Sequence, residues 1–350
     1  MCVKIIFSCQ ADFQNISLKE ILNTNMPFKF IKWMDGGVGM LEYIGENFTN
    51  FTECSELIKE KRLMFIRHIF PVEYIIPYLE FKNQDSSEDF LTRMNIDKVN
   101  DVNKMDKTKS FSVQIRTADD NKIYNPSEIK EKISDYFKSE SFIENKRYPE
   151  QIISVFISND FVYAGLSKAE DNLSIWSGGM RHYAMKEDTI SRAGFKLMEA
   201  LEAYPIDFKK DSIALDLGAA PGGWTKVLVE NGLKVVAVDP VQLSPVLQAN
   251  KNVEFYNGRA HDYIKKSNIM FDLIVNDMSM NIMTSINFIL SLKHRLRNKG
   301  YVIMTFKLTK NDRLEKIKEG INQLSNKFDV VFIKQLFHNR SEVTVILQKN

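Results

Sequence analysis

The sequence predicts an α/β fold: a doubly wound, mostly parallel sheet in the C-terminal half, preceded by two small α+β domains. Three observations predict it. The chain has 350 residues, more than one ordinary domain needs. Residues 191–350 alternate apolar runs with helix-length segments, which is typical of a parallel sheet. Residues 1–170 instead hold short strand-like runs separated by turn residues and polar stretches.

The first block, residues 1–88, has the pattern of a small α+β unit. Residues 28–43 are expected to fold back as a hairpin through Asp35-Gly36-Gly37, because Asp-Gly and Gly-Gly pairs suit tight turns. A polar tract that begins at Lys82 separates this block from the next. The other predicted elements are strand Val3–Ser8, helix Ser17–Leu22, and strands Arg62–Phe70 and Val72–Tyr78.

The second block, residues 89–170, has the order strand, helix, hairpin. Asn125-Pro126 opens the helix, since Pro is favoured at the first helical position, and Asn159-Asp160 makes the hairpin turn. Residues 171–190 are predicted to be a linker, and a plain hinge at Gly178-Gly179 is one of two open interpretations of that pair. The predicted elements are strand Ser110–Arg116, helix Ser127–Lys138, and strands Gln151–Ser158 and Phe161–Leu166.

The third block, residues 191–350, alternates strands with helices. Ser191 is predicted to cap a helix that runs to about Ala203. The last two strands are joined by a short loop without a helix, so we expect an antiparallel pair at one edge of the sheet. The predicted strands are 212–217, 234–239, 253–256, 271–276, 300–306, 329–334 and 342–349, and the remaining predicted helices are 224–231, 284–298 and 311–326.

Composition and charge narrow the function classes. With 44% hydrophobic and 26% charged residues, the chain is neither disordered nor collagen-like. No stretch approaches the roughly eighteen apolar residues of a membrane span, so we expect a cytoplasmic protein with no membrane partner. The net charge of +2 divides into +7 over residues 191–350 and −5 over residues 1–190, which permits a polyanionic partner without demanding one.

Cysteine usage and apolar patterning give two further expectations. Cys2, Cys9 and Cys54 all lie in the first sixth of the chain and have neither a disulfide framework nor metal-ligand spacing, so we expect reduced thiols and no metal. No coiled-coil repeat or exposed apolar stripe is evident, so we expect a monomer.

A glycine-rich loop is the sharpest feature of the sequence. Residues 215–225 read Leu-Asp-Leu-Gly-Ala-Ala-Pro-Gly-Gly-Trp-Thr, an apolar strand followed by a tight turn and a helix. Such a turn lets backbone N–H groups approach a ligand at the carboxyl edge of a sheet. Asp239 ends the next strand, 21 residues beyond Gly218, where a carboxylate can accept hydrogen bonds from ribose hydroxyls. Together these features predict a site for a nucleoside-containing cofactor.

The loop lacks the patterns of other nucleotide sites. A dinucleotide site needs Gly-x-Gly-x-x-Gly, and a P-loop needs Gly-Lys followed by Ser or Thr. Pro221 makes a phosphate cradle less favourable, because it has no N–H to donate.

The segment Gly-Ala-Ala-Pro-Gly-Gly-Trp resembles motif I of the FtsJ family of RNA ribose 2′-O-methyltransferases. The resemblance implies a Rossmann-like methyltransferase domain that binds S-adenosylmethionine (SAM). After the third strand, the simplest alignment places Arg259 where an acidic residue near the adenine is expected; Asp262 fits if the loop is longer. The implied cofactor-binding residues are Gly218, Ala219, Ala220, Pro221, Gly222, Gly223, Trp224, Asp239, Asp262 and Asp277.

The same resemblance implies a catalytic tetrad of Lys196, Asp277, Lys307 and Glu342. Asp277 and Lys307 each follow an apolar strand, so both are expected at the carboxyl edge beside the loop. In the mechanism that we expect, Lys307 removes or steers the proton of the ribose 2′-hydroxyl and Asp277 positions Lys307. Lys196 and Glu342 complete the network.

Two segments resemble the RlmM branch of that family, which methylates a cytidine of 23S ribosomal RNA. They are residues 338–345, His-Asn-Arg-Ser-Glu-Val-Thr-Val, and residues 176–181, Trp-Ser-Gly-Gly-Met-Arg. Ala220 is a departure, since the branch has cysteine there. The branch implies a ferredoxin-like domain at 1–88, a THUMP-like RNA-binding domain at 89–170, a linker at 171–190 and a methyltransferase domain at 191–350.

The expected partner is therefore RNA, most simply ribosomal RNA. Candidate phosphate contacts in the THUMP-like block are Arg116, Lys122, Lys146 and Arg147. Two alternatives stay open: a 2′-O-methyltransferase acting on another RNA, such as an mRNA cap or tRNA, and a non-catalytic module that binds SAM or RNA.

Overall fold

The computed structural model describes residues 3–77, 105–119, 125–308 and 313–350. The chain forms two compact units, Met1–Met180 and Arg181–Asn350. Within the described residues, the N-terminal unit contains two four-stranded sheets and the C-terminal unit one seven-stranded sheet. The predicted class, a mostly parallel α/β sheet preceded by small α+β elements, is confirmed.

The first sheet of the N-terminal unit has the strand order β2-β3-β1-β4, and all of its pairs are antiparallel. With its two helices this is the β-α-β-β-α-β arrangement of ferredoxin-like units. Helix α2 was not predicted, although Phe51, Cys54 and Ile58 have helical spacing and are buried. The elements are β1 Lys4–Ser8, α1 Gln14–Leu22, β2 Phe28–Asp35, β3 Val38–Tyr43, α2 Phe51–Glu60 and β4 His68–Pro71.

The second sheet has the order β5-β8-β7-β6, in which β6 and β7 are parallel and the other pairs antiparallel. Asn125 caps its helix, since the side chain accepts a hydrogen bond from Ser127 N, and Pro126 takes the first helical position. The elements are β5 Tyr74–Pro77, β6 Phe111–Thr117, α3 Pro126–Ser139, β7 Gln151–Ile157 and β8 Phe161–Lys168.

Strand β5 corrects one prediction. We expected Val72–Tyr78 to belong to the first block, but β5 pairs with β8 of the second sheet, and Tyr78 lies outside the described residues. The backbone of Pro71 passes so close to Gly165 that a Cβ there would collide with Pro71 O. This close crossing lets the chain leave the first sheet and continue along β8. The ferredoxin-like and THUMP-like labels and their boundaries stay predictions.

The predicted linker is packed over its first half. Gln114 Nε2 donates to Ile175 O at 2.6 Å, and Ser8 Oγ donates to Gly178 O at 2.7 Å. Gly179 has a φ of +69°, and a Cβ there would lie 2.6 Å from Arg67 Cβ. Residues up to Met180 are therefore part of the N-terminal unit, and Gly178-Gly179 is a packed turn rather than a free hinge.

The C-terminal unit has the strand order β11-β10-β9-β12-β13-β15-β14. Its first five strands are parallel, and β15 lies antiparallel between β13 and β14. The predicted antiparallel edge pair is thus confirmed. The strands are β9 Ile213–Leu217, β10 Lys234–Asp239, β11 Val253–Asn257, β12 Phe271–Asn276, β13 Leu296–Lys307, β14 Asp329–Lys334 and β15 Glu342–Gln348.

The helices of this unit differ from the predictions at one cap, at one helix end and in two short segments. The predicted helix 284–298 ends at Leu292, and residues from Leu296 onward belong to β13. Helix α4 begins at Ala193 with Arg192 at its N-cap, so Ser191 is not the cap that we predicted. Ser191 instead lies against Gly223, where a Cβ would collide with its hydroxyl. The short helices α6 and α7 were not predicted. The helices are α4 Ala193–Ala203, α5 Gly223–Glu230, α6 Pro245–Gln248, α7 Ala260–Lys266, α8 Ile282–Leu292 and α9 Arg313–Ser325.

The core of the C-terminal unit lies between this sheet and its helices. Leu197 of α4 and Leu228 of α5 are fully buried with Ala214, Ala237 and Val275 of the central strands. In the part of the chain that the structure describes, no helix combines the length and apolar character needed to cross a bilayer.

Candidate active site

The structure brings the four residues of the predicted tetrad together. Lys196 Nζ lies 3.1 Å from Asp277 Oδ2 and 2.6 Å from Glu342 Oε2. Lys307 Nζ lies 2.6 Å from Asp277 Oδ1 and 2.8 Å from Glu342 Oε1. Each lysine therefore contacts both acids and each acid contacts both lysines. We call this group the charge square.

The elements of the sheet explain why these residues meet. Lys307 ends β13 and Glu342 begins β15, and the two are direct register partners in this antiparallel pair. Asp277 follows the last residue of β12, which is the parallel neighbour of β13. Lys196 lies in α4. The charge square is therefore at the edge where parallel strands end, the usual place for ligand sites in such sheets.

Opposite charges offset the cost of burying this group. Burial favours the neutral form of Lys196, but the charges of Asp277 and Glu342 outweigh it and raise the pKa of Lys196 above its ordinary value. Burial likewise favours neutral Asp277, yet Lys196 and Lys307 hold the pKa of that carboxyl below its ordinary value. Asp277 is thus a carboxylate at neutral pH and Lys196 an ammonium.

Sequence reasoning missed two residues that hold the charge square in place. Thr305 is 2% exposed, and its Oγ1 donates to Asp277 Oδ1 at 2.7 Å. Glu199, one helical turn beyond Lys196, accepts hydrogen bonds from Phe337 N at 2.8 Å and His338 N at 2.9 Å. Glu199 therefore ties the helix that carries Lys196 to the loop that precedes Glu342.

The glycine-rich loop joins β9 to α5 at the same edge. Gly218 and Gly222 have φ angles of +76° and +114°, which side-chain-bearing residues rarely adopt. Asp239 stabilises the loop, because its carboxylate accepts from Ala220 N at 3.1 Å and from Val241 N at 2.7 Å. The carboxylate keeps further acceptor positions for a ligand's hydroxyl groups.

Several predicted cofactor residues have distinct positions around this loop. Ala219, Gly222 and Gly223 are buried, Gly218 and Ala220 are half-buried, and Pro221 is exposed. The indole of Trp224 is 4% exposed and its Nε1 donates to Ala193 O at 2.8 Å, so this side chain belongs to the core. Asp262 is exposed in the first turn of α7. Its role beside an adenine stays a prediction.

A second carboxyl group lies beneath the loop. Asp216 of β9 is 2% exposed and accepts a hydrogen bond from Thr225 Oγ1 at 2.6 Å. Burial, aided by the charges of Asp277 and Asp239, raises the pKa of Asp216 to about 7, against the hydrogen bond from Thr225. Asp216 therefore titrates near neutral pH.

The candidate phosphate contacts of the N-terminal unit are not equivalent. Arg116 is half-buried, and its Nη2 donates to Gly36 O at 3.4 Å. Lys146 and Arg147 are exposed, and Lys122 lies outside the described residues. Among the residues that the structure describes, no group of three His, Cys, Asp or Glu side chains is placed to hold a metal ion.

Comparison with known families agrees with this geometry. Residues 189–333 match the family model described as FtsJ-like methyltransferase. The C-terminal unit holds an FtsJ-like methyltransferase domain. The matched segment of this methyltransferase domain includes the glycine-rich loop and three members of the charge square, and Glu342 lies just beyond it.

Similar sequences extend the comparison. The chain is 31% identical over 169 residues to "Uncharacterized protein MJ1257" of Methanocaldococcus jannaschii, covering 47% of this chain and 48% of that protein. It is 31% identical over 193 residues to "Ribosomal RNA large subunit methyltransferase M" of Azoarcus sp., covering 51% of each chain. The protein of that name from Sodalis glossinidius is 30% identical over 217 residues, 58% of each chain. The matches span only about half the length of these relatives.

Proposed function

We propose that this protein transfers a methyl group from SAM to a ribose 2′-hydroxyl of RNA, specifically of a cytidine in 23S ribosomal RNA. The observation that carries the proposal is the charge square, in which Lys307 Nζ lies between two carboxylates at the edge that also carries the glycine-rich loop. The ribosomal substrate is supported by relatives named as methyltransferases of large-subunit ribosomal RNA.

The residues around the loop fit SAM. Gly218 and Gly222 give the tight turn its positive φ angles, and Asp239 offers acceptor positions for ribose hydroxyls. Asp277 is ionised, which suits a positively charged ligand. When bound, SAM supplies an electrophilic methyl group on a positively charged sulfur.

Lys307 acts on the ribose hydroxyl. A 2′-hydroxyl is too weak an acid to be much ionised at neutral pH, so it needs a group that takes or directs its proton. Lys307 steers this proton while it is charged, or removes it after passing one of its own protons to Glu342 Oε1, which lies 2.8 Å from Nζ. Asp277 holds Nζ at 2.6 Å, while Lys196 keeps both carboxylates in place. A general base typically contributes about 10²–10⁴-fold to the rate.

Exposed side chains of the N-terminal unit are candidates for RNA binding. Lys146 and Arg147 are exposed, and the guanidinium of Arg147 lies 5.6 Å from the ring centroid of Tyr148, which is 62% exposed. Cations contact phosphates, and exposed aromatic rings stack with unpaired bases. These three residues are the phosphate and base contacts that we propose in this unit.

The test is incubation with labelled SAM and deproteinised ribosomal RNA, followed by nuclease mapping of the label. We expect label on the 2′-oxygen of one cytidine of 23S RNA. Label only on cap structures or tRNA would show that the substrate is another RNA. Label on no RNA would indicate a non-catalytic module that binds SAM or RNA. Mapping ribose methylation in a strain that lacks this chain then identifies the nucleotide in cells.

A further inference from the structure

A small cavity lined by apolar and polar side chains lies inside the N-terminal unit. It is bordered by β1 and β4 of the first sheet, by β6 and β7 of the second sheet, and by the turn at Ser177 and Gly178. Its volume is about 20 Å³. A cavity needs about 10–15 Å³ by this measure to hold one water molecule, so this one has room for a single small guest.

Three buried side chains that line the cavity each have an unpaired polar atom. His68, Gln114 and Ser154 are 3%, 7% and 2% exposed. Among the described residues, His68 Nε2, Gln114 Oε1 and Ser154 Oγ have no hydrogen-bond partner. Native proteins leave few buried polar atoms unpaired, because each loses its hydrogen bonds to water on folding. Three such atoms around one cavity point to a shared partner.

Neighbouring polar groups are already engaged. Ser8 Oγ donates to Gly178 O, and Gln114 Nε2 donates to Ile175 O. Burial, together with the positive charge of Arg116, lowers the pKa of His68 to about 3, so its imidazole is neutral at physiological pH. A neutral imidazole pairs with a molecule that can both donate and accept hydrogen bonds.

We propose that this cavity is a binding site for one ordered water molecule, held by His68 Nε2, Gln114 Oε1 and Ser154 Oγ. Buried waters typically make about three hydrogen bonds, which equals the number of unpaired atoms here. The water joins β4 of the first sheet to β6 and β7 of the second. Arg116 also lines the cavity, but an anion is disfavoured because Gln114 Oε1 is itself an acceptor.

The direct test is a crystal structure of the full chain at a resolution that shows ordered water. We expect one peak within hydrogen-bond distance of all three atoms. Crystals soaked in bromide distinguish water from an anion, because bromide scatters anomalously. An anomalous peak in the cavity, or a cavity without density, would overturn the proposal.

Two serine variants test the same site in solution. Ser167 is a matched control for Ser154, because its Oγ is also buried and unpaired and it belongs to the same β7–β8 hairpin, but it does not line the cavity. Ser154→Ala removes a partner of the water and is expected to lower the urea midpoint of the full chain. Ser167→Ala removes only an unpaired hydroxyl and is expected to leave the midpoint unchanged or raise it. Equal shifts for the two variants would contradict the proposal.

Discussion

Two carboxyl groups on neighbouring strands of the C-terminal unit have pKa values that are shifted in opposite directions. Asp216 lies within β9, beneath the glycine-rich loop, and Asp277 follows the neighbouring strand β12 at the carboxyl edge of the sheet. Burial raises the pKa of Asp216 to about 7, whereas Lys196 and Lys307 overcome burial and lower the pKa of Asp277. The partners differ: Asp216 has the Thr225 hydroxyl, whereas Asp277 has the Thr305 hydroxyl and the amino groups of Lys196 and Lys307. Burial without a neighbouring cation raises the pKa of Asp216, whereas the two lysines beside Asp277 keep that carboxyl group ionised at neutral pH.

Removal of Lys307 from the charge square is expected to have the largest effect on turnover. Lys307→Ala should lower turnover by about 10²–10⁴-fold, the usual contribution of a general base. Affinity for SAM should change little, because Asp239 and the loop remain. Initial rates on methylatable RNA and titration calorimetry with SAM measure the two quantities.

Lys234→Ala is the matched control for this change. Lys234 forms an exposed ion pair with Asp211 at 2.8 Å, and such pairs contribute about 0–1 kcal/mol to stability. The control should therefore keep normal turnover. Wild-type turnover by Lys307→Ala on the same RNA would show that the role given to this lysine is wrong.

The buried carboxyl group should affect stability rather than turnover. The pKa of Asp216 is higher in the folded chain, at about 7, than its ordinary value of 3.8, so folding favours its protonated form. Its contribution to stability is fully present below about pH 4, falls as pH rises to about 7 and then stays constant. One pKa unit corresponds to about 1.4 kcal/mol, so the loss reaches up to about 4 kcal/mol.

Asp216→Asn removes this titration and keeps an acceptor for Thr225. The variant should gain stability relative to the wild type between about pH 4 and 7, as measured by urea unfolding at a series of pH values. The contribution of Asp277 to stability depends on pH in the opposite direction. Because its pKa is lowered, Asp277 stabilises the fold above about pH 4, and this contribution is lost on further acidification. If the difference in unfolding free energy between the wild type and Asp216→Asn does not change with pH, the raised pKa of Asp216 is contradicted.

The place of Asp277 and Lys307 at the carboxyl edge of the sheet was predictable from the sequence, because both residues follow strand ends. Asp277 and Lys307 each come directly after an apolar run, and the carboxyl ends of parallel strands meet at one edge. All four members of the charge square needed the family resemblance, since each alone reads as a solvated charge. The strand β5 shows the limit: its apolar pattern suits either N-terminal sheet, and its partner β8 lies far along the chain.

The roles of Glu199 and Thr305 were not predictable from the sequence, because their partners are distant along the chain. In the sequence Lys-Leu-Met-Glu-Ala, Glu199 reads as an ordinary helical surface residue, yet it is 7% exposed and binds a loop 138 positions later. Thr305 reads as one more β-branched residue of a strand, but its hydroxyl contacts Asp277. Only the assembled fold shows that both act on the charge square.

Glu199→Gln tests whether the helix must be tied to the loop before Glu342. A charged acceptor of two N–H groups becomes a neutral one with a single acceptor oxygen, which we expect to lower turnover about tenfold, or about 1.4 kcal/mol. Glu202→Gln is the matched control: Glu202 lies in the same helix and binds Arg181 and Tyr183. If Glu199 acts only on folding, the melting temperature falls while turnover of the folded enzyme stays normal.

Thr305 is expected to give the smallest effect. Thr305→Val removes the hydrogen bond to Asp277 Oδ1 and keeps the side-chain shape, and a net hydrogen-bond contribution of about 0.7–1.4 kcal/mol corresponds to about three- to tenfold in rate. Turnover should fall by about three- to tenfold, with Asp277 still ionised because both lysines remain. Thr305→Ser keeps the hydroxyl and loses a methyl group, so it separates orientation from packing. Near-normal turnover in Thr305→Ser alone identifies the hydroxyl as what orients Asp277, whereas equal losses in both variants would assign the effect to packing in β13.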